Sequence, residues 1–144
     1  GPDEAFFGQK DFQQTVVAKR LATLIDSPPK IVTVPIKRET NGLAMSSRNI
    51  RLSDKGRNNA AFIYKALTDL LSDLSEMSLI DAIAKAKQFI GAQKGARIDY
   101  FVAIDTETLE EIISLEECDS AAVLTVIEYE GVRLLDNIIL KPHV

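Results

Sequence analysis

Two adjacent hydroxyls and an arginine follow a short apolar run, and these residue types suit contacts to a polyphosphate. They are Ser46, Ser47 and Arg48, within the sequence G-L-A-M-S-S-R-N of residues 42–49. Serine hydroxyls and backbone N–H groups donate to phosphate oxygens, and a guanidinium can donate two parallel hydrogen bonds. One interpretation is a mobile loop that closes over a triphosphate and stabilises charge on the departing pyrophosphate. The alternative is an ordinary polar loop with Met45 tucked into the core.

A second polar cluster, F-G-Q-K-D-F-Q-Q, occupies residues 7–14. Lys10 and Gln14 are one helical turn apart and can share a face. At the start of a helix, Lys10 and free backbone N–H groups would attract phosphate, and Gln14 could hold a hydroxyl or carboxylate of a second substrate. The alternative is a solvated polar face, because charged residues are mostly exposed. Together the two clusters suggest a nucleotide site, half of which is missing from this chain.

The composition is that of an ordinary folded protein with a local patch of positive charge. The chain has 144 residues, of which 46% are hydrophobic and 26% charged, and its net charge is −4. A packed core is therefore expected, and the overall acidity argues against a nucleic-acid-binding surface. The basic residues nevertheless cluster at Lys37, Arg38, Arg48, Arg51, Lys55 and Arg57. Such a patch on an acidic protein fits a small anionic ligand better than a long polyanion.

The cysteine count, the histidine count and the hydropathy argue against a disulfide-bonded, zinc-binding or membrane-spanning protein. The single cysteine, Cys118, excludes an internal disulfide and fits a reducing compartment, so we expect a cytoplasmic location. The single histidine, His143, has no Cys or His companion at metal-ligand spacing, so no zinc site is predicted. No apolar run approaches the length of a transmembrane helix, and no secretory signal stands at the N-terminus.

The first 40 residues predict the tail of a parallel α/β sheet. A strand ends at residues 5–7, a helix begins near Asp11, and Ser27-Pro28-Pro29 breaks that helix. Residues 31–36 are β-branched and apolar and predict a second strand. Because a sheet needs more strands than these, the segment is expected to be truncated.

From Ser53 onward the pattern changes to helices followed by strands. Helices are predicted to begin at Ser53 and at Ser78, and a short helix is predicted over residues 106–113. Alternating apolar residues predict three strands, at residues 98–104, 123–129 and 132–140. Glu130-Gly131 is expected to form a tight turn, and Asp136-Asn137 a bulge or turn within the last strand.

Three motifs together resemble the pantothenate synthetase (pantoate–β-alanine ligase) family. They are G-Q-K-D-F-Q-Q at residues 8–14, V-P-I-K-R at residues 34–38, and G-L-A-M-S-S-R-N-I-R-L-S at residues 42–53. In addition, R-L-L-D-N at residues 133–137 is similar to R-L-I-D-N near that family's C-terminus. The resemblance implies a two-step reaction. ATP and pantoate give pantoyl adenylate and pyrophosphate, and the amine of β-alanine then displaces AMP.

The resemblance also implies roles for individual residues. Four match the counterpart of the nucleotidyltransferase K-M-S-K-S loop, which grips the phosphates: Met45, Ser46, Ser47 and Arg48. Four others match a loop that holds ATP: Gly8, Gln9, Lys10 and Asp11. Lys37 matches a position whose backbone contacts the adenine side, and Gln14 matches a glutamine that binds pantoate. The implied catalytic residues are Lys10, Ser46, Ser47 and Arg48. Mg²⁺ is implied as a bridge between phosphates, without a metal site on the protein.

Departures from the family pattern indicate which part is present. The family begins with a Rossmann-like domain that carries an H-x-G-H signature facing ATP, and this sequence has no such signature. Gln9 stands where glutamate is usual, and Lys37 where an apolar residue is more common. The predicted fold class is α+β, a C-terminal lid domain of helices packed on a small antiparallel sheet (residues 41–144). Before it we expect only the last helix and strand of a Rossmann-like nucleotide-binding domain (residues 1–40).

The expected function is part of an ATP-dependent ligase that makes pantothenate from pantoate and β-alanine. The chain alone is expected to be inactive, because adenylation needs the nucleotide held on both sides. The alternatives are a stand-alone nucleotide- or anion-binding module and a structural or partner-binding domain. No nucleic acid or membrane is expected as a partner. The parent enzyme is expected to be a homodimer, and residues 5–36 to be mobile or to self-associate through unpaired strand edges.

Overall fold

The structure, a computed structural model, describes residues 1–141 and divides the chain after Lys37 into two compact units. The two domains predicted from the sequence, residues 1–40 and 41–144, stay a prediction. The absence of a zinc site at His143 is also untested, because His143 lies outside the described residues. Within the described residues, no helix is long and apolar enough to cross a membrane.

The first unit is a parallel strand–helix–strand arrangement. Its elements are β1 (Glu4–Gly8), a 3₁₀ turn (Gln9–Asp11), α1 (Phe12–Ala22) and β2 (Lys30–Val34). The β-branched run of β2 suits a strand. The helix ends at Ala22, before the break that was predicted at Ser27-Pro28-Pro29. β1 and β2 pair in parallel from Glu4↔Lys30 to Gly8↔Val34.

This unit shows that the predicted fold class is wrong. The prediction was a C-terminal lid preceded by only the last helix and strand of a Rossmann-like domain. The structure has instead a complete strand–helix–strand unit whose two strands are hydrogen-bonded to each other. A parallel pair joined through a helix is the Rossmann-like pattern. The strand–helix–strand order itself was predicted, but local signals at residues 5–7 show only the end of β1, so its full length and its pairing with β2 could not be predicted.

The second unit packs helices against an antiparallel sheet. Its regular elements are α2 (Asp54–Asn59), α3 (Phe62–Asp73), α4 (Leu79–Gly91), β3 (Ala96–Asp105), β4 (Ala121–Tyr129) and β5 (Val132–Lys141). The strand order is β3-β4-β5, with both pairs antiparallel. Its largest fully buried apolar side chains include Ile63, Leu67, Leu70, Ile90, Phe101, Val123 and Ile127. The core therefore lies where α3 and α4 meet the sheet, and the three predicted strands are confirmed.

Local capping explains where the helices of this unit begin. The hydroxyl of Ser53 accepts from the N–H of Gly56, and that of Ser78 accepts from the N–H of Asp81. Both predicted helix starts are thus confirmed. The helix predicted from Ser53 is nevertheless two helices, because α2 ends at Asn59 and α3 begins only at Phe62.

Two further expectations about the second unit are wrong. Residues 106–113 do not form a helix: residues 106–108 are a turn, and the chain then runs beside β3, where the N–H of Ile112 donates to the C=O of Ala103 at 3.0 Å. Asp136 and Asn137 are not a bulge or turn, since they pair with β4 inside β5. The tight turn at Glu130-Gly131 is confirmed, with φ angles of 51° and 73°.

Gly42 is the glycine that a substitution should disturb most clearly. Its φ is 94°, and an added Cβ would collide with the ring of Tyr64. We predict that Gly42→Ala lowers the free energy of unfolding by about 2 kcal/mol, through backbone strain and overpacking. Chemical denaturation measures the loss. Gly91→Ala is the control, because nothing lies within 4 Å of the added Cβ. Equal stability of the two variants would contradict the prediction.

Candidate phosphate-binding site

A tight hairpin leads into the candidate loop at residues 45–48. Its two sides are joined by a β-bridge between Arg38 and Ala44. The N–H of Gly42 donates to the C=O of Glu39 at 2.9 Å, and the positive φ of Gly42 allows the turn to close. The loop therefore begins at a fixed point directly after Ala44.

The loop presents its polar side chains to solvent. The Ser46 hydroxyl accepts from the N–H of Arg48 at 3.1 Å and so caps the 3₁₀ helix Ser47–Arg51. The side chains of Ser47 and Arg48 are exposed, and among the described residues neither has a hydrogen-bond or ion-pair partner. Met45 is 43% exposed, so its expected burial in the core is wrong, while the choice between a phosphate-binding loop and an ordinary polar loop stays open.

The structure divides the basic cluster into paired and unpaired members. Arg38 donates to both carboxylate oxygens of Asp136, at 2.7 and 2.9 Å. Arg57 donates to both carboxylate oxygens of Glu39, with its shortest bond at 2.7 Å. Three other members of the second unit are exposed and, in the part of the chain that the structure describes, unpaired: Arg48, Arg51 and Lys55. Charge available for an anion therefore comes from these three and not from Arg38 or Arg57.

The Arg38–Asp136 pair joins two sequence motifs that lie 98 residues apart. The Asp136 side chain is 2% exposed and that of Arg38 is 18% exposed. The guanidinium also donates to the C=O of Gly42 at 3.1 Å and lies 3.9 Å from the centroid of the Tyr64 ring. One ion pair thus fixes the base of the hairpin against β5. The sequence analysis found both motifs and missed the pair, although a carboxylate inside an apolar strand signals a buried cation nearby.

Beneath the loop, a buried asparagine connects the hairpin to α2. Asn49 is 1% exposed, and its Nδ2 donates to Glu39 at 3.0 Å and to the C=O of Ala44 at 3.1 Å. Hydrogen bonding from Arg57 is the largest cause of a lowered pKa at Glu39, burial opposes it, and the Asn49 bond lowers the pKa further. Glu39 and Asn49 were missed from sequence, because neither belongs to a pattern that marks a ligand.

In the first unit, the predicted residues form one short turn. Gly8 ends β1, Gln9–Asp11 is the 3₁₀ turn, and Gln14 lies exposed in the first turn of α1. The buried hydroxyl of Thr15, which the sequence analysis did not single out, donates to the C=O of Asp11 at 3.2 Å and holds the turn against the helix. Lys37 is exposed at the end of this unit.

The structure thus brings the predicted residues together in two groups, each within its own unit. Their roles toward ATP and pantoate stay predictions. Over residues 1–141, no group of three or more His, Cys, Asp or Glu side chains is placed to hold a metal ion. Cys118 is buried in the core of the second unit.

Comparison with known proteins identifies the family. The family model described as pantoate-beta-alanine ligase matches residues 1–139. The chain belongs to this family. A pantothenate synthetase of Cytophaga hutchinsonii is 38% identical over 141 residues, which are 96% of this chain and 50% of that protein. Another, from Rhodopseudomonas palustris, is 41% identical over 138 residues, 95% of this chain and 48% of that protein. The chain spans about half the length of the curated relatives it matches.

A solved structure of a family member agrees with the fold. The pantothenate synthetase of Thermus thermophilus has a TM-score of 0.89 at 32% identity, over 98% of this chain and 51% of that one. The match takes in the parallel strand–helix–strand unit together with the second unit. The match supports the interpretation that the chain corresponds to half of a synthetase and has a Rossmann-like strand–helix pattern. It also shows that the predicted C-terminal lid is wrong.

The buried ion pair under the hairpin yields a stability prediction. We expect Asp136→Asn to lower the free energy of unfolding by about 3 kcal/mol, because it leaves the Arg38 charge without its counter-ion. The control is Asp69→Asn, which breaks the exposed pair with Lys65 and should cost less than about 0.5 kcal/mol. Both losses are measured by urea denaturation. Similar losses in the two variants would show that the Arg38–Asp136 pair does not stabilise the fold.

Proposed function

We propose that this chain is part of an ATP-dependent ligase that condenses pantoate with β-alanine to pantothenate, through a pantoyl-adenylate intermediate. Its proposed contribution is the phosphate-binding loop at residues 45–48. The observation that carries the proposal is the Ser47 hydroxyl and the Arg48 guanidinium, both exposed and without a partner within residues 1–141, at the end of a hairpin fixed by a buried ion pair. Membership of the pantoate-beta-alanine ligase family supports the reaction.

The loop's chemistry follows from its donors. Arg48 and the hydroxyls of Ser46 and Ser47 donate to the outer phosphates of ATP and stabilise the charge that develops on departing pyrophosphate. Since the Ser46 oxygen accepts from the N–H of Arg48, its own hydrogen is still available for a phosphate. Mg²⁺ enters with the phosphates in this proposal and neutralises part of their charge.

The turn of the first unit has a separate proposed role. We assign ATP binding to residues 8–11, with Lys10 as the catalytic cation, and adenine-side contact to the backbone of Lys37. Pantoate binding is assigned to Gln14, whose exposed amide can donate to a carboxylate and accept from a hydroxyl. The bonds from Thr15 support this assignment, because they hold the turn in one conformation.

The chain alone is proposed to be inactive. It spans about half the length of its relatives, and its sequence contains no H-x-G-H. Adenylation requires ATP and pantoate in near-attack geometry, which needs groups on both sides of the nucleotide. A cytoplasmic location belongs to the same proposal and is supported by the single cysteine, Cys118, since one cysteine excludes an internal disulfide.

The activity test compares the chain alone with the chain plus the half of a related synthetase that it does not match. ATP-dependent pantothenate formation is followed with Mg²⁺, pantoate and β-alanine. We expect activity only in the mixture. Full activity of the chain alone would overturn the proposed division of the site. ATP binding without activity in any mixture would favour the stand-alone binding module.

A charge-matched pair of variants tests the loop directly. We predict that Arg48→Ala weakens binding of inorganic pyrophosphate roughly tenfold, since a charged hydrogen bond contributes about 1.5–3 kcal/mol and 1.4 kcal/mol is tenfold in affinity. Calorimetric titration of the 144-residue chain measures it. Lys94→Ala is the control, because it removes one exposed positive charge elsewhere. Equal weakening by both variants would mean that only overall charge matters, and the loop would lose its assigned role.

Self-association through residues 5–36 is a further part of the proposal. The first unit exposes large apolar side chains, with Phe6 at 64% and Leu24 at 81% exposure. Its sheet has two strands, which leaves edges that another chain can pair with. We predict concentration-dependent dimers in sedimentation experiments, weakened by Leu24→Ser but not by Ile50→Ser, an equally exposed site in the second unit. A chain that stays monomeric at all concentrations would refute this.

A further inference from the structure

We propose that Asn49 is a positioning residue, which holds the phosphate-binding loop in its binding conformation through Glu39 and Arg57. This inference rests on the proposed function of residues 45–48 as a phosphate-binding loop. Asn49 does not contact the phosphates in this proposal. It acts through the backbone on either side of Ser46, Ser47 and Arg48.

The hydrogen bonds of Asn49 span the loop. Its Nδ2 donates to the C=O of Ala44, the residue just before the loop, at 3.1 Å. Its backbone N–H donates to the C=O of Ser46 at 3.1 Å, and its own C=O accepts from the N–H of Leu52. One residue thus ties the entry of the loop to its middle and to the end of the 3₁₀ helix. Ser47 and Arg48, whose side chains have no partner among the described residues, depend on this backbone for their position.

The two acceptors fix the orientation of the amide. Nδ2 directs its hydrogens at the Glu39 carboxylate and at the C=O of Ala44, and both of these groups only accept. A reversed amide would set Oδ1 against both acceptors. As oriented, the buried Oδ1 has no partner among the described residues. The site therefore requires a donor at residue 49, and an isosteric carboxylate would meet two acceptors.

Arg57 keeps Glu39 charged and in place. The guanidinium, on α2, makes three hydrogen bonds of 2.7–3.0 Å to the Glu39 carboxylate. These bonds lower the pKa of Glu39 and hold its carboxylate where it accepts from Nδ2 of Asn49. The chain of hydrogen bonds therefore runs from Arg57 on α2 through Glu39 to Asn49 in the loop segment. Because Arg57 is used in this chain, it is unavailable for an anion.

A space-filling role alone does not account for Asn49. Asn49 is 1% exposed, and an apolar side chain would fill this buried position at a lower cost in free energy. The reason is that a polar group in the interior costs free energy unless it is hydrogen-bonded. Both donors of Asn49 are used, and both partners are attached to the hairpin that leads into the loop. Preorganised donors avoid a reorganisation cost when phosphate binds.

The experiment compares Asn49→Asp with Asn59→Asp, an exposed asparagine on α2, in the 144-residue chain. The probe is inorganic pyrophosphate, and the structural readout is amide exchange at the N–H of Arg48. We expect Asn49→Asp to speed that exchange and to weaken pyrophosphate binding about tenfold near pH 8. The control should change neither quantity.

A pH series separates positioning from general destabilisation. In Asn49→Asp, the introduced carboxyl faces the Glu39 carboxylate, itself paired with Arg57, so it should take up a proton readily as pH falls. The protonated form regains a donor. We therefore expect pyrophosphate affinity, relative to the original chain at each pH, to recover between about pH 8 and pH 6. Two results would overturn the proposal. One is that Asn49→Asp binds pyrophosphate weakly at every pH. The other is that this variant keeps both the pyrophosphate affinity and the slow exchange at the N–H of Arg48 of the original chain.

A second variant covers the case in which Asn49→Asp does not fold. Arg57→Gln removes the clamp on Glu39 from an exposed position and should weaken pyrophosphate binding about threefold, with faster exchange at Arg48. Behaviour identical to Lys94→Ala would overturn the positioning role. If the original chain binds no pyrophosphate, the phosphate-binding function fails and this inference falls with it. Faster exchange at Arg48 in the variants would then mark a purely structural Asn49.

Discussion

The buried ion pair between Arg38 and Asp136 is the constraint on which the second unit's candidate site depends. A carboxylate that is 2% exposed inside a sheet is tolerated only with a cation and further donors. Arg38 supplies the cation, and the N–H of Asn137 supplies another donor at 2.7 Å. The same guanidinium binds the C=O of Gly42 and lies on Tyr64. Because Arg38 must pair with the buried Asp136 carboxylate, it also fixes the hairpin from which the loop at residues 45–48 begins.

This arrangement divides the basic residues into those paired with carboxylates and those exposed to solvent. Six basic residues cluster in sequence, but two of them are used to hold the hairpin to β5 and to α2. Those two, Arg38 and Arg57, make bidentate contacts for which a planar guanidinium is suited. Arg48 has no such contact among the described residues and is exposed. Pairing and burial thus separate the arginines that hold the hairpin from those exposed to solvent, and their closeness in sequence does not show this difference.

Much of the local structure could be predicted because it depends on neighbouring residues. Ser53 and Ser78 cap helices through hydrogen bonds spanning three residues, and Glu130-Gly131 closes a two-residue turn. The expected helix over residues 106–113 is wrong because this segment bonds to β3 instead, through the N–H of Ile112 and the C=O of Ala103. What the sequence could not supply was pairing over distance. The order strand–helix–strand in residues 1–40 could be predicted, but not the register in which β1 and β2 pair, from Glu4↔Lys30 to Gly8↔Val34. The predicted C-terminal lid was wrong because local patterns do not show which half of a longer protein a segment belongs to.

The candidate site shows the same division between local and distant signals. Residue types and the family motif led to the prediction of Ser46, Ser47 and Arg48 as phosphate-binding residues, which stays a prediction. Asn49 and Glu39 were not predicted. Their side chains are joined by a hydrogen bond between residues ten apart, and the segment between them has no regular periodicity that would indicate it. Asp136 was noticed only as an interruption of a strand. The supporting shell of a binding loop is therefore harder to find from sequence than the loop itself.

The separation of 98 residues between Arg38 and Asp136 also has a consequence for the order in which the chain assembles. The β4–β5 hairpin is closed by two residues and the helices are capped locally, so these contacts carry little loop-closure entropy. The ion pair closes by far the longer loop. During synthesis from the N-terminus, Arg38 must also wait until β5 has left the ribosome. The loop that carries Arg48 is thus made early and anchored late.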